Sequence, residues 1–248
     1  MFGAPNITAS GVGAAARAPL VVILPVHDEA ATLAAVVRRV PPEVMGHPVV
    51  TVVVDDGSTD GSGDIAVAEG AKLVAHSANR GLGAAIRTGL AEAEALGAWA
   101  AAFLDADGEY DPAEVAVLLG PVERDEADYV VGSRFDGRIG SMLPHRRLGN
   151  HVLTLLTSVL AGRRLTDGQS GFRVLNARAL AAADVVHDYN YAQVLTLDLL
   201  NKGYRYAEVP ISYSRRRDGR SFVKLGRYLR LVLPAMVRVA RAGQTAAT

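Results

Sequence analysis

Three acidic side chains stand at alternate positions in Asp105-Ala106-Asp107-Gly108-Glu109, directly after the apolar run Trp99 to Leu104. An apolar run ending in carboxylates reads as a buried strand that delivers hard oxygen ligands to a sheet edge, where they can hold a divalent cation against a diphosphate. Three anions this close repel one another unless a cation or water separates them. A solvated loop is the alternative. The cluster favours a metal site, and with it a nucleotide-dependent enzyme.

Other polar stretches fall in comparable places. Asp55-Asp56-Gly57-Ser58 closes the apolar run Val49 to Val54; its carboxylates suit a base or ribose, or simply the cap of the next helix. Asn79-Arg80-Gly81-Leu82-Gly83 resembles a fragment of a phosphate-binding turn without the full GxGxxG spacing, and a tight strand-to-helix connection reads equally well. Asp167-Gly168-Gln169-Ser170-Gly171-Phe172-Arg173 sets a carboxylate in a glycine-flanked loop. It could serve as a general base, which must sit within about 3 Å of the proton it takes, or the stretch is an ordinary turn with Arg173 in solvent. Arg134, Arg146, Arg147, Arg215, Arg216, Arg217 and Arg220 matter as a set, because converging guanidinium forks can grip a diphosphate or a phosphorylated acceptor. The six histidines lack ligand spacing such as HExxH, which argues against zinc.

The elements that would position these groups alternate. Leu20 to Val26, Val49 to Val54, Lys72 to His76, Trp99 to Leu104 and Tyr129 to Gly132 read as buried strands. Ala30 to Val40, Asp60 to Glu69, an Ala-rich stretch ending near Gly97, and Pro112 to Glu123 read as helices. This order predicts a doubly wound, mostly parallel α/β sheet with helices on both faces and ligands at the carboxyl ends of its strands. Further on, Leu148 to Leu160 and Ala192 to Lys202 read as helices and Ala207 to Tyr213 as a strand. From Ser221 the pattern is an amphipathic helix. Arg220, Lys224, Arg227, Arg230, Arg238 and Arg241 lie within an arc of roughly 120°, opposite Phe222, Leu225, Leu229, Val232, Leu233 and Met236. Either it packs on the domain with a wet basic face or it lies on a membrane; packing combined with attraction to anionic lipid is favoured.

Bulk properties bound the rest. A chain of 248 residues, 50% hydrophobic, can bury one large core. The formal net charge is zero, yet Arg215 to Arg241 carries nine Lys/Arg and one Asp, so a basic tail joins an acidic body. That suits an anionic membrane surface or phosphorylated substrate; a nucleic-acid partner is not expected. Cysteine is absent, which excludes disulfides and thiolate metal sites. No apolar run approaches the roughly 18 residues that span a bilayer. The expected organisation is a disordered leader over 1–18, a catalytic domain over 19–220 and a basic amphipathic helix and tail over 221–248. The expected location is cytoplasmic, with peripheral attachment at the inner face of the membrane.

Taken in order, the stretches Val22 to Glu29, Val54 to Asp60, Asn79 to Gly83, Asp105 to Glu109, Gly132-Ser133-Arg134, Ser170 to Arg173 and Glu208-Val209-Pro210-Ile211 resemble family-2 glycosyltransferases of the GT-A fold. They look most like the dolichol or polyprenyl phosphate mannose synthase-like branch. The resemblance implies an inverting transfer from a nucleoside diphosphate sugar, UDP- or GDP-linked. Pro25, His27, Glu29 and Asp55 would line the nucleotide pocket, completed by Asp56, Arg80 and Asp105. Asp105, Asp107 and Glu109 would bind Mg²⁺ or Mn²⁺, and Arg134, Arg146, Asn150 and Arg216 would take the phosphate of the acceptor. Asp167 is the candidate if a base is used. The first motif carries His27-Asp28 where relatives usually have Tyr-Asn, and Glu109 replaces a usual Gln. A Gly-x-Ser-Lys pattern near the end becomes Gly219-Arg220-Ser221-Phe222, with Lys224 following. The membrane-spanning helices of many relatives are missing, so the chain looks like the soluble catalytic domain alone. Two other functions remain open: a nucleotidyltransferase that makes a nucleotide sugar, and an inactive nucleotide-sugar-binding module.

Overall fold

A computed structural model describes residues 17–140, 142–214 and 225–246, with 225–229 and 243–246 described by backbone alone. The strands are β1 (Leu20–Val26), β2 (Glu43–Val44), β3 (His47–Asp55), β4 (Lys72–Ala75), β5 (Ala100–Phe103), β6 (Tyr129–Ile139), β7 (Arg173–Asn176) and β8 (Tyr206–Tyr213). The helices are α1 (Leu33–Arg39), α2 (Ser62–Ala68), α3 (Leu82–Ala95), α4 (Val115–Glu123), α5 (Pro144–Ala161), α6 (Ala177–Ala182), α7 (Ala192–Asn201) and α8 (Leu225–Ala246), with a 3-10 turn at Pro112–Glu114. One sheet runs in the order β2-β3-β1-β5-β7-β6-β8, and β4 also pairs with β3.

All seven residues of β1 are buried because β3 and β5 flank it in parallel and helices cover both faces. Its side chains alternate between two cores. Leu20, Val22, Leu24 and Val26 pack with Leu33 and Val36 of α1 and Leu118 of α4. Val21 and Ile23 face Ile86 and Leu90 of α3 and Leu195 of α7. The parallel pairs bring the carboxyl ends of β1, β3 and β5 to one edge, where the acidic turns emerge.

Several elements differ from the sequence pattern, among them β2, α6 and the start of α5, and two of the differences bear on the site. β7 is an antiparallel strand inserted between β5 and β6. With four residues it is too short to show a period, and it reads as the end of the loop before it. β6 runs on to Ile139, and its outer half alternates between partly buried and exposed positions, a polar, glycine-containing pattern that resembles a loop.

The amphipathic character of α8 is spent on packing. Val232 and Met236 are fully buried against Val194 and Leu197 of α7, with Leu153, Leu156 and Leu160 of α5 alongside. The exposed face carries Arg230, Arg238 and Arg241. Of the two alternatives for this helix, the described residues take packing with a wet basic face.

Asp128 ties three strands together. Its carboxylate is 2% exposed and accepts the Arg205 Nε–H at 3.0 Å, the Arg205 backbone N–H at 3.0 Å and the Asn176 side-chain amide at 2.8 Å. The Arg205 side chain, ahead of the other hydrogen bonds, holds the Asp128 carboxyl well below the usual carboxylate range despite burial. A depressed folded-state pKa contributes stability that is present above the unfolded value near 4 and is lost as pH falls through the folded one. Asp128→Ala should lower unfolding free energy by about 1–3 kcal/mol at neutral pH, and the deficit should shrink as urea titrations move below pH 4. A deficit that stays constant with pH would contradict this role.

Candidate active site

The turn after β1 and the turn after β3 are stitched to each other. The Asp28 N–H donates to Ser58 Oγ at 3.0 Å, and Asp28 Oδ1 accepts the Thr59 N–H at 2.8 Å. The Glu29 N–H donates to Ser62 Oγ at 3.0 Å and the Ala30 N–H to Asp60 Oδ2 at 2.9 Å. Asp28 takes a positive φ of 56° to make these bonds, a conformation that Asp tolerates better than most residues. Asp55 is buried and caps its own turn, accepting the Ser58 N–H at 2.8 Å.

Asp56 builds the neighbouring turn. It accepts the Arg80 N–H at 2.9 Å and the Gly81 N–H at 2.7 Å, and sits 2.6 Å from His76 Nδ1. The other ring nitrogen of His76 reaches Thr88 Oγ1 on α3 at 2.9 Å. The two turns touch at Gly57, where φ is +76° and a Cβ would lie 2.6 Å from the backbone of Ala78 and Asn79. Arg80 itself is exposed, and borders a cavity of about 430 Å³ with His187, Asp188 and Tyr189.

Asp105 follows β5 at the centre of this edge. The Ala106 carbonyl accepts the Thr32 hydroxyl at 2.8 Å, which fixes the acidic turn to the start of α1. Asp107 Oδ1 accepts the Glu109 N–H at 3.0 Å within the turn. Glu109 Oε1 lies 3.7 Å from Arg146 Nη1, and its backbone carbonyl accepts the Ser214 N–H at 3.0 Å. Neither oxygen of Asp105 accepts a hydrogen bond from a described residue. Burial foremost, then the charges of Glu109 and Glu29, pushes its carboxyl up to about 6, while Arg134 and Arg173 pull the other way.

On the far side stands Arg134 of β6. Its Nε donates to Asp167 Oδ2 at 2.6 Å and its Nη2 to Asp167 Oδ1 at 2.8 Å, a two-pronged pair that is almost wholly buried. Nη1 has no hydrogen-bond partner among the described residues. The guanidinium carbon lies 5.4 Å from the centre of the Tyr213 ring. Glu208 of β8 holds the Asp167 turn by accepting the Thr166 N–H at 2.8 Å and the Asp167 N–H at 3.0 Å.

Gly171 lies against Asp105, and a Cβ there would approach Asp105 Oδ2 to 2.6 Å. Tyr110 Oη accepts the Gly171 N–H at 2.9 Å. Arg173, for which a solvated position was an alternative, is fully buried. Its Nε donates to the Ser170 carbonyl at 2.8 Å and its Nη1 to the Ala192 carbonyl at 2.7 Å, with Tyr129 and Thr196 as further partners.

The structure thus gathers Glu29, Asp105, Glu109, Arg134, Arg146 and Asp167 about one edge. Pro25 is buried inside β1 beneath it, while His27 is exposed with Nε2 3.8 Å from Asp28 Oδ2. Asn150 sits one turn along α5 from Arg146, with its amide 3.8 Å from Met142 Sδ. Arg216 lies outside the described residues, as do Arg215, Arg217, Arg220 and Lys224. Tyr110, Tyr213, Gly171 and Glu208 shape the site without standing out in the sequence as candidates. Among the described residues no three His, Asp or Glu side chains are grouped so that they could hold a metal ion by themselves, and the expected three-carboxylate set of Asp105, Asp107 and Glu109 is not one. Asp107 caps its own turn and Glu109 faces Arg146, so Asp105, Asp107 and Glu109 form an open acidic edge. Such an edge fits Mg²⁺ or Mn²⁺ shared with a diphosphate, since Mg²⁺ is usually held by one or two carboxylates, water and phosphate oxygens.

The model of glycosyl transferase family 2 matches residues 21–182. The chain is similar to an undecaprenyl-phosphate mannosyltransferase of Micrococcus luteus, at 30% identity over 235 residues, covering 90% of this chain and 93% of the relative. It is 32% identical over 213 residues to a polyprenol monophosphomannose synthase of Mycolicibacterium smegmatis, covering 80% and 78%. Among solved structures, glucosyl-3-phosphoglycerate synthase from Mycobacterium tuberculosis, crystallised with Mn²⁺, UDP and glucosyl-3-phosphoglycerate, shares the fold with a TM-score of 0.72. It is 22% identical, and the match covers 90% of this chain and 80% of that one.

Removing the buried carboxylate of the Arg134–Asp167 pair strands a cation in the interior. Asp167→Ala should therefore cost about 3–5 kcal/mol of unfolding free energy, read by urea titration. A loss within the few tenths typical of a surface substitution would show that the pair does not organise the site.

Proposed function

We propose a specific reaction for this chain, which belongs to glycosyl transferase family 2: transfer of a hexose from a nucleoside diphosphate sugar to a polyprenyl phosphate, with inversion at the anomeric carbon. The observation that carries the reading is Asp105. It is a carboxylate at the end of a central strand, satisfied by no donor of the described chain and crowded by Glu29 and Glu109. Such a group suits a cation that arrives with a diphosphate.

In this reading Pro25, His27, Glu29 and Asp55 border the nucleotide. Asp56 shapes the turn that carries Arg80 alongside it. Asp105, with Asp107 and Glu109, would hold Mg²⁺ or Mn²⁺, which when bound offsets charge on the departing diphosphate. Arg134, Arg146 and Asn150, joined by Arg216, take the phosphate of the acceptor. An acceptor phosphate oxygen attacks the anomeric carbon as the bond from that carbon to the diphosphate breaks, giving a lipid-linked sugar and a nucleoside diphosphate. The second phosphate pKa is near 6, so the attacking oxygen is already ionised at neutral pH and needs no base. Asp167, with both oxygens on Arg134, acts as a positioning residue that aims the guanidinium. Similarity to polyprenyl-phosphate mannosyltransferases supports the acceptor class, and the metal in a structural neighbour supports the cofactor. No described helix is long and apolar enough to cross a membrane. In this reading the catalytic unit, 19–220, meets its lipid acceptor at the cytoplasmic surface of the membrane, in keeping with the lipid acceptors named for its relatives.

Incubation with radiolabelled UDP- and GDP-sugars and polyprenyl phosphate should yield a lipid-extractable product only when Mg²⁺ or Mn²⁺ is present. Arg146 is partly exposed and loosely held, so Arg146→Ala should fold normally and raise KM for the acceptor about tenfold, the effect of one charge-assisted hydrogen bond. Product that forms equally well in excess chelator, or transfer only to water-soluble acceptors, would overturn the reading.

A further inference from the structure

Residues 183–191, the connection between α6 and α7, form a strap laid across the start of α3. The Gly83 N–H donates to the Asp188 carbonyl at 2.7 Å. A Cβ on Gly83 would overlap the His187 carbonyl oxygen, and one on Gly81 would lie 2.6 Å from the Asp188 carbonyl oxygen. Two glycines that in sequence resemble part of a phosphate-binding turn thus make room for the chain itself, and one amide at the start of α3 is already taken. Arg87, one turn further along α3, closes the clamp. Its Nη1 donates to the Val185 carbonyl at 2.7 Å and its Nη2 pairs with the Asp188 carboxylate. That pair is partly exposed, with side chains 38% and 63% accessible, so it adds little to global stability. Holding a loop in one position is a different matter, because loops open locally at far lower cost than the whole fold.

The strap ends on Tyr191, and that side chain leads to the site. Tyr191 is 3% exposed. Its ring centre lies 5.5 Å from that of Phe103, the last residue of β5, and 5.6 Å from the guanidinium carbon of Arg173. Its hydroxyl donates to the Gly171 carbonyl at 3.3 Å, and Gly171 is the residue that lies against Asp105. At the other end of the strap, Asp56 accepts the Gly81 N–H at 2.7 Å. A series of contacts therefore runs from the Asp56 turn through Gly81, Gly83 and the strap to Gly171 beside Asp105.

We propose that the strap sets the cover of Asp105: Gly83 and Arg87 are positioning residues that act through Asp188 and Tyr191 to hold Gly171 against the carboxylate. The consequence for cation binding rests on the reading of Asp105 above, whereas the coupling of α3 to Gly171 can be measured without any ligand.

The test is amide hydrogen exchange of the unliganded full chain, followed by mass spectrometry, together with calorimetric titration of UDP and GDP. Gly83→Ala puts a better helix former into α3 and expels the strap; Arg87→Ala releases it more gently. Both should speed exchange at least about tenfold in peptides over 168–174 as well as 185–192, with β1 peptides unchanged. Glu94→Ala, at an exposed position on α3, should match wild type. Both clamp variants should also cut the Mn²⁺-dependent gain in nucleotide affinity at least about threefold while the metal-free affinity is retained; a general loosening of the fold lowers both together. Faster exchange confined to 185–192, or an undiminished Mn²⁺ gain in both variants, would overturn the proposal. So would a loss of metal-free affinity in Gly83→Ala alone, the mark of a direct phosphate contact. If wild type shows no Mn²⁺-dependent gain while exchange over 168–174 still follows the clamp, the coupling stands and the cation reading falls.

Discussion

Among the described residues no hydrogen-bond donor reaches the Asp105 carboxylate, and the structure around it is organised by that constraint. Three parallel strands deliver Asp105 to the edge of the sheet, Gly171 is laid against it, and burial with two neighbouring acids opposes its charge. A group so placed costs the folded chain free energy unless something positive meets it. Much of the surrounding structure acts to keep that opening in shape: Thr32 fastens the acidic turn from one side, and Tyr110 and Arg173 hold the covering turn from the other.

Opposite charges are kept apart by different means. Arg134 is held in the interior by a fully committed partner, Asp167, leaving one nitrogen for a ligand. Among the described residues Asp105 has no such partner. The two sides therefore differ in what they can accept: a phosphate on the arginine side, and a cation with its own anion on the carboxylate side. Glu208, by fixing the Asp167 turn through backbone amides, makes the geometry of the arginine depend on β8 at the far end of the sheet.

The acidic turns were legible in the sequence because an apolar run followed by carboxylates needs no distant information. The partners of those carboxylates were not. Asp56 and Asp55 look alike in sequence, yet Asp56 is bound to His76, Arg80 and Gly81, residues that only the third dimension brings near. Arg173 could equally have been solvated, and its burial depends on Tyr129, Ala192 and Thr196 from other elements. β7 escaped notice because four residues show no period. α5 begins at Pro144 rather than Leu148, since proline suits a first helical turn.

The central claim is that Asp105 receives a cation together with a nucleoside diphosphate. Calorimetric titration of UDP and GDP into the protein, with and without Mn²⁺, tests it most directly. The account predicts that Mn²⁺ strengthens binding of at least one nucleotide about tenfold or more, and that this gain disappears in Asp105→Asn while the metal-free affinity is retained. Equal affinity with and without the ion in the wild type, or an undiminished gain in the variant, would contradict it.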